Sequence, residues 1–275
     1  MNGIELREAL HSGKRIYSTM LVSRSPKYVG TLAGLGLDMV FIDTEHNAID
    51  RTTLGWMCEA YSAKNIAPVV RIPTHDIYDA SMALDAGAAG VIVPYTEDVD
   101  TIRKMVGAVK YKPLKGEKLE RFLLGEEELE PELKAYLDRA NAGHSLIVNI
   151  ESVPAMDVLD ELLNVPGLDG IIIGPHDLSC SLGIPESYDD PVYYSAVAEI
   201  LLKARNAGLG SGIHVHYAKN GLQQEIDWAR DTGANLVVHH SDILAFALAM
   251  QRDLAALKEG IEGEAKSAEG MTINI

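Results

Sequence analysis

The chain has 275 residues, 47% of them hydrophobic and 23% charged, and a formal net charge of −16. That composition suits a globular enzyme with a core of its own, and the charge excludes a nucleic-acid partner, whose phosphates would be repelled. Only two cysteines occur, Cys58 and Cys180; with an amphipathic, charged N-terminus and no apolar run near the ~18 residues of a membrane span, they point to a reduced cytoplasmic setting without a membrane partner.

Short β-branched runs alternate with amphipathic stretches along nearly the whole chain. Strands are predicted at 15–22, 39–44, 67–72, 90–94, 145–150, 170–174, 211–215 and 236–240. Runs such as Val91-Ile92-Val93 and Ile171-Ile172-Ile173 are apolar on successive residues, as parallel strands buried on both faces require. Helical patterns lie between them, among others at 101–110, 131–140, 155–163, 192–206 and 222–231, and a closing helix is predicted at 242–258. The turns around Gly36, Gly87, Gly208 and Gly233 follow a helix and precede a strand, which is where helix caps belong. A nucleotide-binding turn of a doubly wound sheet would sit on the other side of the strand. Eight units in a length near the ~250 residues typical of a closed barrel predict a single-domain (β/α)₈ TIM barrel over residues 1–258. Two segments break the rhythm. A charged, glycine-punctuated excursion at 114–130 reads as a lid, an interface loop or a mobile excursion, and 259–275 reads as a C-terminal tail.

Active sites of such barrels lie at the C-terminal ends of the strands, and the ionisable residues of this sequence gather there. The second strand leads into Asp43-Thr44-Glu45-His46, and the third ends at Arg71. The fifth supplies Asn149 and Glu151, the sixth leads into Gly174-Pro175-His176-Asp177, and the last two close on His214, His216, His239, His240 and Asp242. Glu151 and Asp177 each follow an apolar strand directly, so their carboxylates should converge over the mouth. Two such carboxylates repel, and Mg²⁺, Mn²⁺ or Co²⁺ would relieve the repulsion. The alternative is that each acid caps the following helix or pairs with a neighbouring cation. Asp43, three residues before His46, could hold one imidazole nitrogen and leave the other as a base. Arg71 could be an ordinary ion-pair partner, but in an acidic mouth a guanidinium is also what grips a substrate carboxylate in two places. His214-x-His216, completed by His239 or His240, would be a zinc alternative, although no fixed ligand spacing supports it. No Gly-x-Ser-x-Gly elbow of a serine hydrolase occurs.

These residues carry a family likeness. Phe41-Ile42-Asp43-Thr44-Glu45-His46 resembles the strand that bears the catalytic Asp and His of the HpcH/HpaI aldolases, metal-dependent pyruvate aldolases of the phosphoenolpyruvate/pyruvate barrel superfamily. Val69-Val70-Arg71 resembles their arginine strand, and Leu84-Asp85-Ala86-Gly87-Ala88 with Val91-Ile92-Val93-Pro94 resembles the next unit. Ile150-Glu151 and Gly174-Pro175-x-Asp177-Leu178-Ser179 resemble their two metal-ligand motifs. The resemblance implies a (β/α)₈ barrel in homo-oligomers, dimer-based and up to a hexamer, that exchange a helix between subunits. It implies that Glu151 and Asp177 hold the divalent metal and that Arg71, Gly174 and Asp177 bind a 2-oxo acid; His176, in a position often small in the family, could narrow or add a donor to that substrate pocket. It also implies that His46, oriented by Asp43, moves the proton, with Asp85 supporting the site from behind. The reaction so implied makes or cleaves a carbon–carbon bond through a pyruvate enolate, converting a 4-hydroxy-2-oxo acid to pyruvate plus an aldehyde.

The sequence departs from the family where a Tyr-Pro-Pro stretch and a Gly-x-Arg-Gly loop are usual. Here the run from Tyr111 reads Tyr-Lys-Pro-Leu-Lys-Gly-Glu-Lys-Leu-Glu-Arg and continues with acidic residues, so the choice of aldehyde is open. A citrate-lyase-like or acyl-CoA lyase on the same barrel, and a non-catalytic metal or 2-oxo-acid binding protein, are the alternatives. No basic cluster for the phosphates of a coenzyme A thioester is evident in the sequence.

Overall fold

The computed structural model describes residues 1–214 and 221–263. Eight parallel strands close into a barrel in which each pairs with its neighbour in sequence and the last with the first. They are β1 (Ile16–Leu21), β2 (Met39–Asp43), β3 (Ala67–Arg71), β4 (Gly90–Val93), β5 (Ser145–Asn149), β6 (Gly170–Ile173), β7 (Gly210–His214) and β8 (Leu236–Ser241). Every predicted strand is present, within a residue or two at its ends.

The helices form an outer ring. The first half of the chain contributes α1 (Gly3–Ser12), α2 (Pro26–Leu32), α3 (Arg51–Ser62), α4 (Ile77–Asp85), α5 (Val99–Lys110), α6 (Gly116–Leu123) and α7 (Pro131–Ala140). The second half contributes α8 (Val153–Asp157), α9 (Leu159–Leu163), α10 (Pro175–Ser181), α11 (Pro191–Asn206), α12 (Gly221–Asp231) and α13 (Asp242–Glu262). The closing helix therefore runs four residues beyond its predicted end. The predicted tail begins inside it, and residues 264–275 lie outside the described part. Among the described residues no helix is long and apolar enough to cross a membrane.

Strand side chains alternate between two apolar masses. Val40, Ile42, Val70, Val91, Val148 and Ile171 face the helices and share the larger cluster with them. Met39, Phe41, Val69, Ile147, Ile172 and Val238 fill the barrel interior. The interior is closed at the bottom by α1, whose Leu6 and Leu10 are fully buried against it. Buried Asp169 ties that end together: it accepts from Arg7 Nε at 2.9 Å and His11 Nε2 at 3.0 Å, and it pairs with Lys110. Burial works against ionisation of Asp169, but His11 and Lys110 outweigh it and hold the carboxyl down at about 2.

The seam between β1 and β8 carries a bulge. Thr19 pairs with His239 and Met20 with Ser241, so His240 is the extra residue. Thr19 Oγ1 donates to the His240 carbonyl at 2.6 Å. Asp242, at the start of α13, accepts the backbone N–H of Val22 at 2.9 Å and of Ser23 at 3.0 Å.

The excursion at 114–130 is ordered around α6. Leu119 and Leu123 lie against Gly107 of α5, where even a methyl group would crowd them. Phe122 meets Tyr111 edge to face at 4.9 Å between ring centres.

Candidate active site

The alternation that fills the barrel also builds the site. Met39 and Phe41 point inward, so Asp43, next on that face, emerges at the top of β2. Ala67 and Val69 lead in the same way to Arg71, and Ile147 and Asn149 lead to Glu151. Strand register sets Asp43 directly beside Arg71. Arg71 Nε donates to Asp43 Oδ1 at 2.8 Å, and its Nη1 lies 3.1 Å from Glu45 Oε2. The guanidinium rests 5.2 Å from the centre of the Phe41 ring. Burial opposes the charge on Asp43, yet the hydrogen bond and charge of Arg71 prevail and hold its carboxyl below the usual range.

Glu151 is only 3% exposed. Its Oε1 accepts the backbone N–H of Tyr95 at 2.9 Å, whereas Oε2 is buried with no hydrogen-bond partner. Tyr95 presents that N–H from a left-handed backbone conformation, φ +39°, uncommon for a bulky residue and concentrated at functional sites. Asp177 stands in the first turn of α10 and is exposed. Between the two acids lies Gly174, where a Cβ would overlap Glu151 Oε2 and sit 3.5 Å from Asp177 Oδ2. Burial first, and then the charge of Asp177, push the Glu151 carboxyl up to about 7. A buried carboxylate oxygen with no donor, a like charge facing it and a side-chain-free gap between them fit a hard divalent cation. Two carboxylates leave the remaining positions to water and substrate oxygens. Among the described residues no group of three His, Cys, Asp or Glu side chains is arranged around one metal position. Of the zinc alternative, His216 lies outside the described residues, and His239 and His240 meet edge to face at 4.8 Å.

Asp43, Arg71 and Asp177 line one mouth cavity of about 270 Å³ together with His46, Gly174 and His176. Asn149 and His214 line it from below. Two expectations need correction. Asp43 does not orient His46: it is taken up by Arg71, by Asn47 Nδ2 at 3.1 Å and by the Glu45 amide at 3.1 Å. The neighbour of His46 Nε2 is Glu45 Oε2, 3.6 Å away. Asp85 does not support the site from behind within this chain. It is exposed at the far end of α4, next to the strand starts, and pairs with Lys112. His176 is on the open side of the mouth, its Nε2 3.7 Å from Glu186 Oε1.

Glu45 and Asn149 also stand at this mouth, where inward alternation from Phe41 and Ile147 places them, although residue type alone gives neither a role. Tyr95 could not have been found, since it acts through its backbone N–H.

The sequence matches the model of the HpcH/HpaI aldolase/citrate lyase family over residues 18–239. The chain belongs to that family. It is 30% identical over 258 residues to the 2-keto-3-deoxy-L-rhamnonate aldolase of Escherichia coli O17:K52:H18, covering 94% of each chain. Among solved structures it is similar to an HpcH/HpaI aldolase from Desulfitobacterium hafniense DCB-2, with TM-score 0.78 and 26% identity over 92% of this chain and 96% of that one. It is also similar to the citrate synthase SbnG, with TM-score 0.77 and 29% identity over 93% and 98% of the two chains. As a member of this aldolase family the protein is a carbon–carbon lyase.

Proposed function

We propose that this lyase is a divalent-metal-dependent pyruvate aldolase that interconverts a 4-hydroxy-2-oxo acid with pyruvate and an aldehyde. The observation that carries the reading is the unpartnered, buried Oε2 of Glu151 facing Asp177 across Gly174, beside an arginine fixed by two carboxylates. Glu151 and Asp177 would hold Mg²⁺, Mn²⁺ or Co²⁺. When bound, the cation draws electron density from the substrate carbonyl and stabilises the negative charge that develops on its oxygen. Arg71, with Nε and Nη1 committed to Asp43 and Glu45, keeps a fixed orientation and offers its remaining N–H groups to the substrate oxygens. His46 takes the methyl proton at Nε2, which lies 3.6 Å from Glu45 Oε2. In the cleavage direction the same nitrogen takes the 4-hydroxyl proton as the carbon–carbon bond breaks and returns it to the methylene carbon, giving aldehyde and pyruvate with no net proton change. Gly174 keeps the space between the acids open, and His176 meets the outer part of the substrate.

For the assembly we assign a homo-oligomer, dimer-based and up to a hexamer, in which α13 packs on a neighbour. Ile243, Phe246, Met250, Leu254, Leu257 and Ile261 form an exposed apolar stripe at helical spacing along it. Cys58 and Cys180 are both free, which supports a reduced, cytoplasmic setting.

The test is exchange of the pyruvate methyl protons in heavy water. Exchange should require Mg²⁺, Mn²⁺ or Co²⁺, vanish with metal binding in Glu151→Ala and Asp177→Ala, and slow in His46→Ala while metal still binds. Absence of exchange with all three metals refutes the proposal.

A further inference from the structure

The Glu151 carboxylate is aimed by a backbone group. Its Oε1 accepts the Tyr95 N–H at 2.9 Å, while Oε2 faces the gap at Gly174. The direction of that N–H therefore decides where Oε2 stands. The N–H belongs to the peptide unit between Pro94 and Tyr95, which is trans and whose carbonyl is that of Pro94. In a trans peptide the C=O and N–H point opposite ways from one rigid plane, so whatever grips the carbonyl also sets the N–H.

The grip comes from the loop after the neighbouring strand. His75 Nε2 lies 2.6 Å from the Pro94 oxygen. A carbonyl only accepts, so the ring nitrogen carries the proton and donates. Thr96 Oγ1 reaches the same oxygen at 3.3 Å, a longer contact. The plane needs holding, because Tyr95 takes φ +39°, a left-handed conformation that a bulky residue keeps only where its surroundings impose it.

Both ends of this arrangement are anchored. His75 sits between β3 and α4, where Thr74 Oγ1 accepts the Asp76 N–H at 3.1 Å and donates to Asp79 Oδ2 at 2.6 Å. Asp76 in turn caps α4 by accepting the Tyr78 N–H at 2.8 Å. On the far side, the Thr96 N–H donates to the Asn149 carbonyl at 3.2 Å and joins the turn to β5. Imidazole, peptide and carboxylate form a hydrogen-bonded chain in which each bond polarises the next.

We propose that His75 is a positioning residue: by donating to the Pro94 carbonyl it holds the Pro94–Tyr95 peptide in the orientation that aims Glu151 at the divalent cation. This rests on the metal reading above and adds a residue that does not line the mouth cavity. Groups that orient a metal ligand from behind typically change metal affinity by about 10–100-fold when they are removed.

The experiment titrates Mn²⁺ into the metal-free parent, His75→Leu and His75→Gln by calorimetry. Leucine keeps bulk without a donor, and glutamine places an N–H near the position of Nε2. His75→Leu should bind Mn²⁺ about tenfold more weakly or worse, and His75→Gln should stay within threefold of the parent. Pyruvate proton exchange gives a second readout. In His75→Leu the Mn²⁺ concentration for half-maximal exchange should rise by the same factor, while the rate at saturating Mn²⁺ stays within threefold. A role confined to loop stability would lower the unfolding temperature and move neither, which overturns the proposal. So does a glutamine variant that binds as weakly as the leucine one, since the donor would then be irrelevant. If His75→Leu fails to fold, a crystal structure of the Mn²⁺-loaded parent decides. Glu151 Oε1 on the Tyr95 amide, with His75 on the Pro94 carbonyl, supports the proposal, and a Glu151 turned away from that amide overturns it. A parent that binds no Mn²⁺ removes the metal reading and this proposal together. A parent that binds it, with affinity unchanged in His75→Leu, removes the proposal alone.

Discussion

Replacing Gly174 with alanine perturbs the site without removing any proposed ligand. The backbone there, φ −84° and ψ 109°, suits any residue, so the fold should survive. The added Cβ, however, would overlap Glu151 Oε2 and stand 3.1 Å from Cδ, against the ordinary ~3.5–4.0 Å between carbons. A flexible exposed glutamate would swing aside at little cost. Glu151 cannot, because it is buried and its Oε1 is held by the Tyr95 amide at 2.9 Å. Relief requires a carboxylate shift on the order of 1 Å, and misplacement of that size typically costs about 10²-fold at a site of fixed geometry. Isothermal titration of Mn²⁺ into the metal-free protein should show roughly 100-fold weaker binding, about 2.7 kcal/mol, with thermal unfolding little changed. Affinity within threefold of the parent would mean that Glu151 Oε2 does not face the cation, and the metal assignment would fall with it.

Other substitutions probe the surrounding interactions. Arg71→Lys keeps the charge but loses the fork that engages Asp43 and Glu45; pyruvate affinity, read by equilibrium binding, should fall by about tenfold or more, and binding within twofold would refute the assigned grip. Burial pushes Glu225 up to about 8, and its Oε2 has no hydrogen-bond partner. Because the folded state holds this proton above the unfolded range, stability should decline as pH rises from about 4.5 to 8. Glu225→Gln should then stabilise at pH 9 by on the order of 4 kcal/mol and change little at pH 4, a contrast that urea unfolding at the two pH values measures. Asp169 behaves in the opposite sense. Held at about 2 by His11 and Lys110, its ionised form contributes about 2 kcal/mol above pH ~4, lost as pH falls through about 2. Asp169→Asn should be destabilised by at least that much at pH 7, with the gap closing in acid.

Strands such as β2, β4 and β6 were legible because they are apolar on both faces, a demand of the parallel barrel that leaves little ambiguity in runs such as Ile171-Ile172-Ile173. The helix within 114–130 was not: Glu117, Lys118, Glu120 and Arg121 dominate its composition, while the few apolar residues that dock it, Leu119 and Leu123, need Gly107 of α5 to have meaning. The same division holds at the site. Glu151, Asp177 and Arg71 could be placed at the mouth because a strand end fixes where a residue emerges. The partner of Asp43 could not, because spacing along the chain suggested His46 whereas the β2–β3 register supplied Arg71. Asp85 was carried by resemblance alone, and its place at the lower end of α4 removes it from the mouth of its own barrel.

The bulge at His240 has a mechanical side. Thr19 is pinned to the extra residue, and Asp242 clasps the amides that follow β1, so the lip of the first strand and the root of α13 are latched into one piece. Met20, at the upper end of that strand, is part of the cavity wall. In the assembly proposed above, tension on α13 from a neighbouring barrel would be transmitted through this latch to the wall of the pocket, and dissociation would slacken the seam where the barrel closes.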